Sequence, residues 1–152
     1  MASKAPSLAS IVATASPPAA IANLSVLSIP QDSPDAQLLE AWNERQIALA
    51  MIEERGSFYA SETHSPKFVD MFDRAEWRVY QLPAVTPAGI LAKLWVALSH
   101  MGGPVTCADD QAHWGAIRRA DFAEVEALAP TFEFDCTAVF GVIRSLHAQV
   151  RA

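Results

Sequence analysis

Cysteine is scarce: Cys107 and Cys136 are the only two in 152 residues. Two isolated thiols make no disulfide framework, so the expectation is of buried, reduced cysteines in a cytoplasmic setting. Basic residues are also few. Lys and Arg number 11 against 17 Asp and Glu, giving a net charge of −6 and a pI near 5.1. That balance argues against a general nucleic-acid binder, which neutralises phosphates with clustered Lys and Arg. No apolar run reaches the roughly 18 residues that a membrane span requires. The start of the chain, Met1 to Ala15 with Lys4, faintly resembles a secretory leader. Its apolar run is short, carries Ser10 and Thr14, and meets Pro17-Pro18, so the leader reading is rejected. No segment of six residues alternates polar with apolar, which removes the usual signature of a sheet. There is no internal repeat.

What is present is helical punctuation, strongest over Leu82-Pro83-Ala84-Val85-Thr86-Pro87-Ala88-Gly89-Ile90-Leu91-Ala92-Lys93. Pro83 lacks a backbone donor and pushes Leu82 out of the helical region, so a helix ends there. Thr86 followed by Pro87 is an N-cap with proline at the first helical position, where the missing N–H costs nothing. Apolar residues recur at helical spacing on both sides of this corner, from Phe68 to Gln81 and from Pro87 to Met101. Hydrophobic residues make up 51% of the chain, an excess carried partly by alanine and as consistent with helix as with greasiness.

Residues 1 to 32 are a block of Ala, Ser and Pro, broken by Pro6, Pro17, Pro18 and Pro30. By composition this is a disordered tail, with 33–152 as the helical domain. The exception is Leu24 to Ile29, an apolar strip able to dock on the helical body or on a neighbouring subunit. Ser33-Pro34-Asp35 opens the first helix: a serine cap, proline in the first turn, and an acid that the helix dipole favours. That helix runs to about Arg55, closed by Gly56, a rod of roughly 33 Å at 1.5 Å per residue. Leu38, Trp42, Leu49 and Ile52 form its stripe, interrupted by Arg45. Ser65-Pro66 starts a second helix, with Phe68, Val69, Phe72, Ala75, Val79 and Tyr80 at helical spacing, and an antiparallel hairpin is the simplest packing. The third helix, with Ile90, Leu91, Leu94, Trp95 and Leu98, is apolar nearly all round, which suits the middle of a bundle or an oligomer contact. Ala108 to Ala129 reads as two shorter helices meeting near Asp121, and Pro130-Thr131 as the start of the last. The expected fold is all-α: a long helical hairpin plus two to four further helices in a small bundle.

Chemistry is thinly signalled. His100, Cys107, Asp109, Asp110 and His113 fall close together around Gly102-Gly103-Pro104, but they lack the paired ligand spacing of a zinc site. The plainer reading has Asp109 or Asp110 capping a helix, His100 ending one, and Cys107 in the core. Gly102-Gly103 has neither the further glycine nor the lysine of a phosphate loop, and no Gly-x-Ser-x-Gly marks a serine nucleophile. Glu53-Glu54, and Glu133 with Asp135, are weak as catalytic carboxylate pairs. His64 and His147 stand alone. Arg118-Arg119 is the one adjacent basic pair and the only candidate for a recognition helix. Trp42, Trp77, Trp95 and Trp114 occur about once per helix, and core packing accounts for them. No residue is assigned as catalytic, cofactor-binding or metal-binding, and no cofactor is expected.

One part of the chain is similar to known proteins. Pro34-Asp35-Ala36 with Leu38-Leu39, then Trp77, then Leu82-Pro83-Ala84-x-Thr86-x-x-Gly89-Ile90-x-Ala92-Lys93 resembles a set of uncharacterised small helical proteins of Alphaproteobacteria, often encoded with mobile or prophage-like material. The resemblance covers residues 34 to about 98. Leu94-Trp95-Val96 departs from the small residues usual after the lysine. It implies a helical fold and a bacterial setting, and transfers no activity. The favoured function is that of a non-enzymatic helical interaction or assembly protein with a protein partner, as a homodimer. The alternatives are a small enzyme or metal-binding protein using the His100–His113 region, and a DNA-associated regulator of a mobile element.

Overall fold

The computed structural model describes residues 27–30, 32–54, 66–101 and 108–151, with the backbone alone for 108–113. Six α-helices account for most of them: α1 (Ala36–Glu53), α2 (Pro66–Gln81), α3 (Pro87–Met101), α4 (Ala108–Arg119), α5 (Phe122–Leu128) and α6 (Phe134–Arg151). A 3-10 turn, Ala129–Thr131, joins α5 to α6. Among the described residues there is no strand, and the all-α bundle expected from the missing alternation is what forms.

The long hairpin is α1 against α2. Glu44 pairs with Arg78 at 2.7 Å and Arg45 with Glu76 at 2.7 Å, while Leu49 and Ile52 pack with Phe72 nearer the loop. Partners therefore run in opposite order along the two helices, as an antiparallel pair requires. Apolar on nearly every face, α3 was expected in the middle of the bundle or at an oligomer contact, and it touches α1, α2, α4 and α6. The α1 helix packs chiefly on α2 and also touches α3 and α4. Its buried residues, Arg45 and Gln46 included, form one broad face, and Gln37, Glu40, Glu44 and Ile47 mark the more open one. The α3 helix packs mainly on α6 and leaves Ile90 and Ala97 exposed. Trp42, Leu91, Trp95, Leu98, Ile117, Phe140 and Ile143 meet in the principal core.

Helix ends follow the local chemistry, with two corrections. Ser33-Pro34 does not open α1, which begins at Ala36 with Asp35 at the N-cap. The Ser33 hydroxyl accepts only the Asp35 N–H, at 3.2 Å. Pro130 does not start α6 either: it lies inside the 3-10 turn, and α6 begins at Phe134. The α4–α5 break falls where Asp121 was expected to put it. Ala120 adopts a left-handed φ of 53°, and Asp121 N–H donates back to the Ala116 carbonyl at 3.1 Å, a helix-stop geometry normally filled by glycine. The Asp121 carboxylate then accepts from Glu124 N–H and caps α5. Gly56, the expected stop of α1, lies outside the described residues.

The apolar strip ahead of α1 is docked in its described part. Leu27 N–H donates to Asn43 Oδ1 and Asn43 Nδ2 donates to the Leu27 carbonyl, both at 3.0 Å. Leu27 and Ile29 pack on the principal core. Docking on the helical body, one of the two placements expected for this strip, is what its described residues show, with Asn43 supplying the amide partner that an extended backbone would otherwise seek from water.

Candidate interaction groove

The corner between α2 and α3 is built by Asp35. Its side chain is buried and makes no bond to its own helix. It reaches across to the start of α3, accepting from Val85 N–H at 3.0 Å, Thr86 N–H at 2.8 Å and Thr86 Oγ1–H at 2.6 Å. Thr86 Oγ1 in turn accepts from Gly89 N–H at 3.1 Å, so one carboxylate and one hydroxyl cap the helix together. Burial pushes the Asp35 carboxyl up, but the Thr86 and Val85 donors, helped by the Lys93 charge, outweigh it and hold the group below its usual value. Gly89 is there for space: a Cβ on it would overlap Asp35 Oδ2 and sit 2.7 Å from Cγ. Lys93 closes the corner by donating from Nζ to the Tyr80 carbonyl at 2.9 Å, near the end of α2. The Asp, Thr, Gly and Lys of the motif are thus accounted for as one clasp between helices.

Beyond the clasp, an open groove of about 790 Å³ lies between α2 and α3. Its walls are Trp77, Val79 and Tyr80 from α2, Ala84 from the corner, and Ile90, Leu94, Val96 and Ala97 from α3. Trp77 is 59% exposed and Tyr80 67%, which corrects the expectation that all four tryptophans and the Tyr80 position belong to the core. The two rings stack on each other at 5.5 Å and 18°, forming a flat apolar ridge along one lip. Trp42 and Trp95 are buried as expected, and Trp114 is partly buried against the core.

Polar groups at the far end of the groove are arranged by a buried cation. Arg45, the interruption in the α1 stripe, is 1% exposed and bonds Glu76 Oε2 through Nε and the Arg118 carbonyl through Nη1. Its guanidinium lies over Phe72 at 4.7 Å and Trp42 at 5.5 Å, contacts that partly offset desolvation. Burial lowers the guanidinium's basicity, and Glu76 opposes that shift. The second Glu76 oxygen, Oε1, meets His100 Nε2 at 2.8 Å at the mouth of the groove. Asp73 lies one turn further along the same acidic lip.

Of the cluster suggested around His100, only His100 has a described side chain, and its partner is Glu76. Cys107 and the side chains of Asp109, Asp110 and His113 lie outside the described residues, as does His64. Among the described residues, no group of three or more His, Cys, Asp or Glu is placed to hold a metal ion. Arg119 is engaged by Glu53 at 3.2 Å and Glu124 at 3.0 Å, so its charge is answered within the protein rather than offered to phosphates. Cys136 is partly buried, and burial with nearby Glu133 and Asp135 pushes its thiol up, away from nucleophilic thiolate. His147 stacks flat on Phe122 at 4.0 Å and 9°. No helix among the described residues is long and apolar enough to cross a membrane. The groove was missed because the four tryptophans were assigned to the core together; Trp77 lies five residues from Phe72 and two from Val79, off the buried stripe of α2, and that spacing was the available sign.

No family model matches the chain, and neither the curated proteins nor the solved structures yield a match to it.

Proposed function

We propose that this chain is a non-enzymatic helical interaction protein that works by seating a helix of a protein partner in the α2–α3 groove. The observation that carries this reading is the exposed Trp77–Tyr80 stack beside Ile90 at the mouth of an open apolar groove. Tryptophan and tyrosine are the residues that dominate binding energy in protein interfaces, and two apolar walls with a charged rim are the setting for helix-in-groove recognition. The resemblance of residues 34–98 to the alphaproteobacterial proteins and the bacterial setting it implies belong to the same proposal, as does the cytoplasmic setting expected from two isolated cysteines. Site-specific photo-crosslinking tests it. A photoreactive side chain at Tyr80 or Ile90 is expected to give covalent adducts with protein in the native cell, whereas one at Val142, exposed on α6, gives none. Adducts no more frequent at the groove than at Val142 would end the reading.

A further inference from the structure

We propose that the α1 surface around Asn43 is a docking site for an extended segment of a partner protein, and that residues 27–29 of this chain occupy it as a displaceable strap. The site shares no lining residue with the groove and does not depend on the docking reading above. The first ground is the way the strap is held. Leu27 gives both its N–H and its carbonyl to one side chain, the Asn43 amide, at 3.0 Å each. A carboxamide bonded in this way reads a residue's backbone and nothing of its side chain, so it accepts any extended chain with a free N–H at that position. Side chains alternate along the strap. Leu27 and Ile29 are half-buried and pack on the principal core, while Ser28 and Pro30 are exposed. That alternation is strand geometry, and main-chain bonds combined with seats for alternate side chains are a recurring way of binding extended peptides.

The second ground is that the strap is lightly fastened over a place that needs an occupant. Among the described residues no strand pairs with it, and Asn43 makes the only hydrogen bonds to residues 27–29. Past Ile29 the chain turns, with the Ser33 N–H on the Pro30 carbonyl and the Ala36 N–H on the Ser33 carbonyl, both at 3.1 Å. Asp35 is buried and fixed to the start of α3. Rotation at residues 30–34 therefore releases the strap while α1 stays in place. Release uncovers the part of the principal core on which Leu27 and Ile29 pack. What restores that cover is another extended chain with large aliphatic side chains two residues apart, the strap's own spacing.

The test uses the full chain carrying Leu27→Ser with Ile29→Ser, which frees the site. The probe is a fluorescein-labelled peptide with the sequence of residues 24–31, followed by fluorescence anisotropy up to about 100 µM protein. Far-UV circular dichroism checks that the helices persist. The peptide is expected to bind the double variant about tenfold or more tighter than wild type, whose own strap competes at an effective concentration on the order of 1 mM. Adding Asn43→Ala to the double variant is expected to weaken binding by about tenfold or more. No binding to the double variant, equal binding to wild type, or binding indifferent to Asn43→Ala would overturn the proposal. Should the double variant lose its helices, wild type decides: unlabelled peptide at about 1 mM is expected to speed hydrogen exchange at the Leu27 amide, and unchanged exchange there overturns the proposal. A wild-type dimer in sedimentation velocity that the double variant loses would make the occupant a second copy's strap, and would overturn the partner proposed here.

Discussion

Replacing Asp35 by alanine should destabilise the fold severely. The carboxylate accepts from two backbone N–H groups and one hydroxyl at the start of α3, and the residue is 2% exposed. The Thr86 hydroxyl can turn toward another acceptor, but the two amides are held by the helix start. A buried donor left without a partner costs about 1–3 kcal/mol. Val85 is itself exposed, so its amide falls at the low end and that of Thr86 higher, giving a loss of roughly 3–4 kcal/mol for Asp35→Ala. Against a total stability of about 5–15 kcal/mol, that is a large fraction, equivalent to a fall in Tm on the order of 10 °C. Thermal unfolding followed by far-UV circular dichroism measures it, with Asp35→Asn expected in between because it keeps one oxygen. A shift for Asp35→Ala below about 2 °C, within the range of ordinary surface substitutions, would refute the clasp. The pH sense follows from the lowered Asp35 carboxyl. Its contribution is complete above the unfolded value near 3.9 and is lost as pH falls through the lower folded value. Acid unfolding of Asp35→Ala should lack that component.

Three further outcomes are expected. Gly89→Ala, which at an ordinary helical site would stabilise by about 0.8–1 kcal/mol, should destabilise because the new Cβ overlaps the Asp35 carboxylate; denaturant titration gives the sign, and Asp35→Ala should remove much of the penalty. Glu76→Ala strands the buried Arg45 charge and should cost about 3 kcal/mol, whereas Arg45→Met, which removes the charge itself, should cost less; the order of the two denaturation midpoints decides it. Burial, then Arg151, hold the His147 imidazole below its usual value despite Glu126, so the folded state keeps it neutral. The unfolded chain then binds more protons, and stability should decline as pH falls below about 6.5 until the folded value is passed; His147→Phe should flatten that part of the Tm–pH curve.

The legible part of this protein was the local part. Pro83, Thr86-Pro87 and Asp121 act within a turn of themselves, through a missing donor or a side chain that bonds a neighbouring amide, and the helix boundaries they mark are where the structure has them. The same local logic misplaced Asp35, which was read as serving its own helix. Its oxygens were claimed by α3, some fifty residues on, a choice that exists only once the two helices are brought together. Gly89 likewise read as one letter of a motif until the neighbouring carboxylate supplied the reason for it.

Helical periodicity says that a side chain shares a face with others, not that a neighbouring helix covers that face. Tyr80 was counted with Phe72 and Val79 in the α2 pattern, yet those two are buried while Tyr80, with the off-stripe Trp77, stays in solvent. By itself the amino-acid order determined that the chain is helical and where several helices begin and end. Only the tertiary packing decided that Glu76 answers Arg45, that Asp35 caps α3 rather than its own helix, and that an aromatic groove stays open, because burial and long-range charge pairing are properties of the assembled helices.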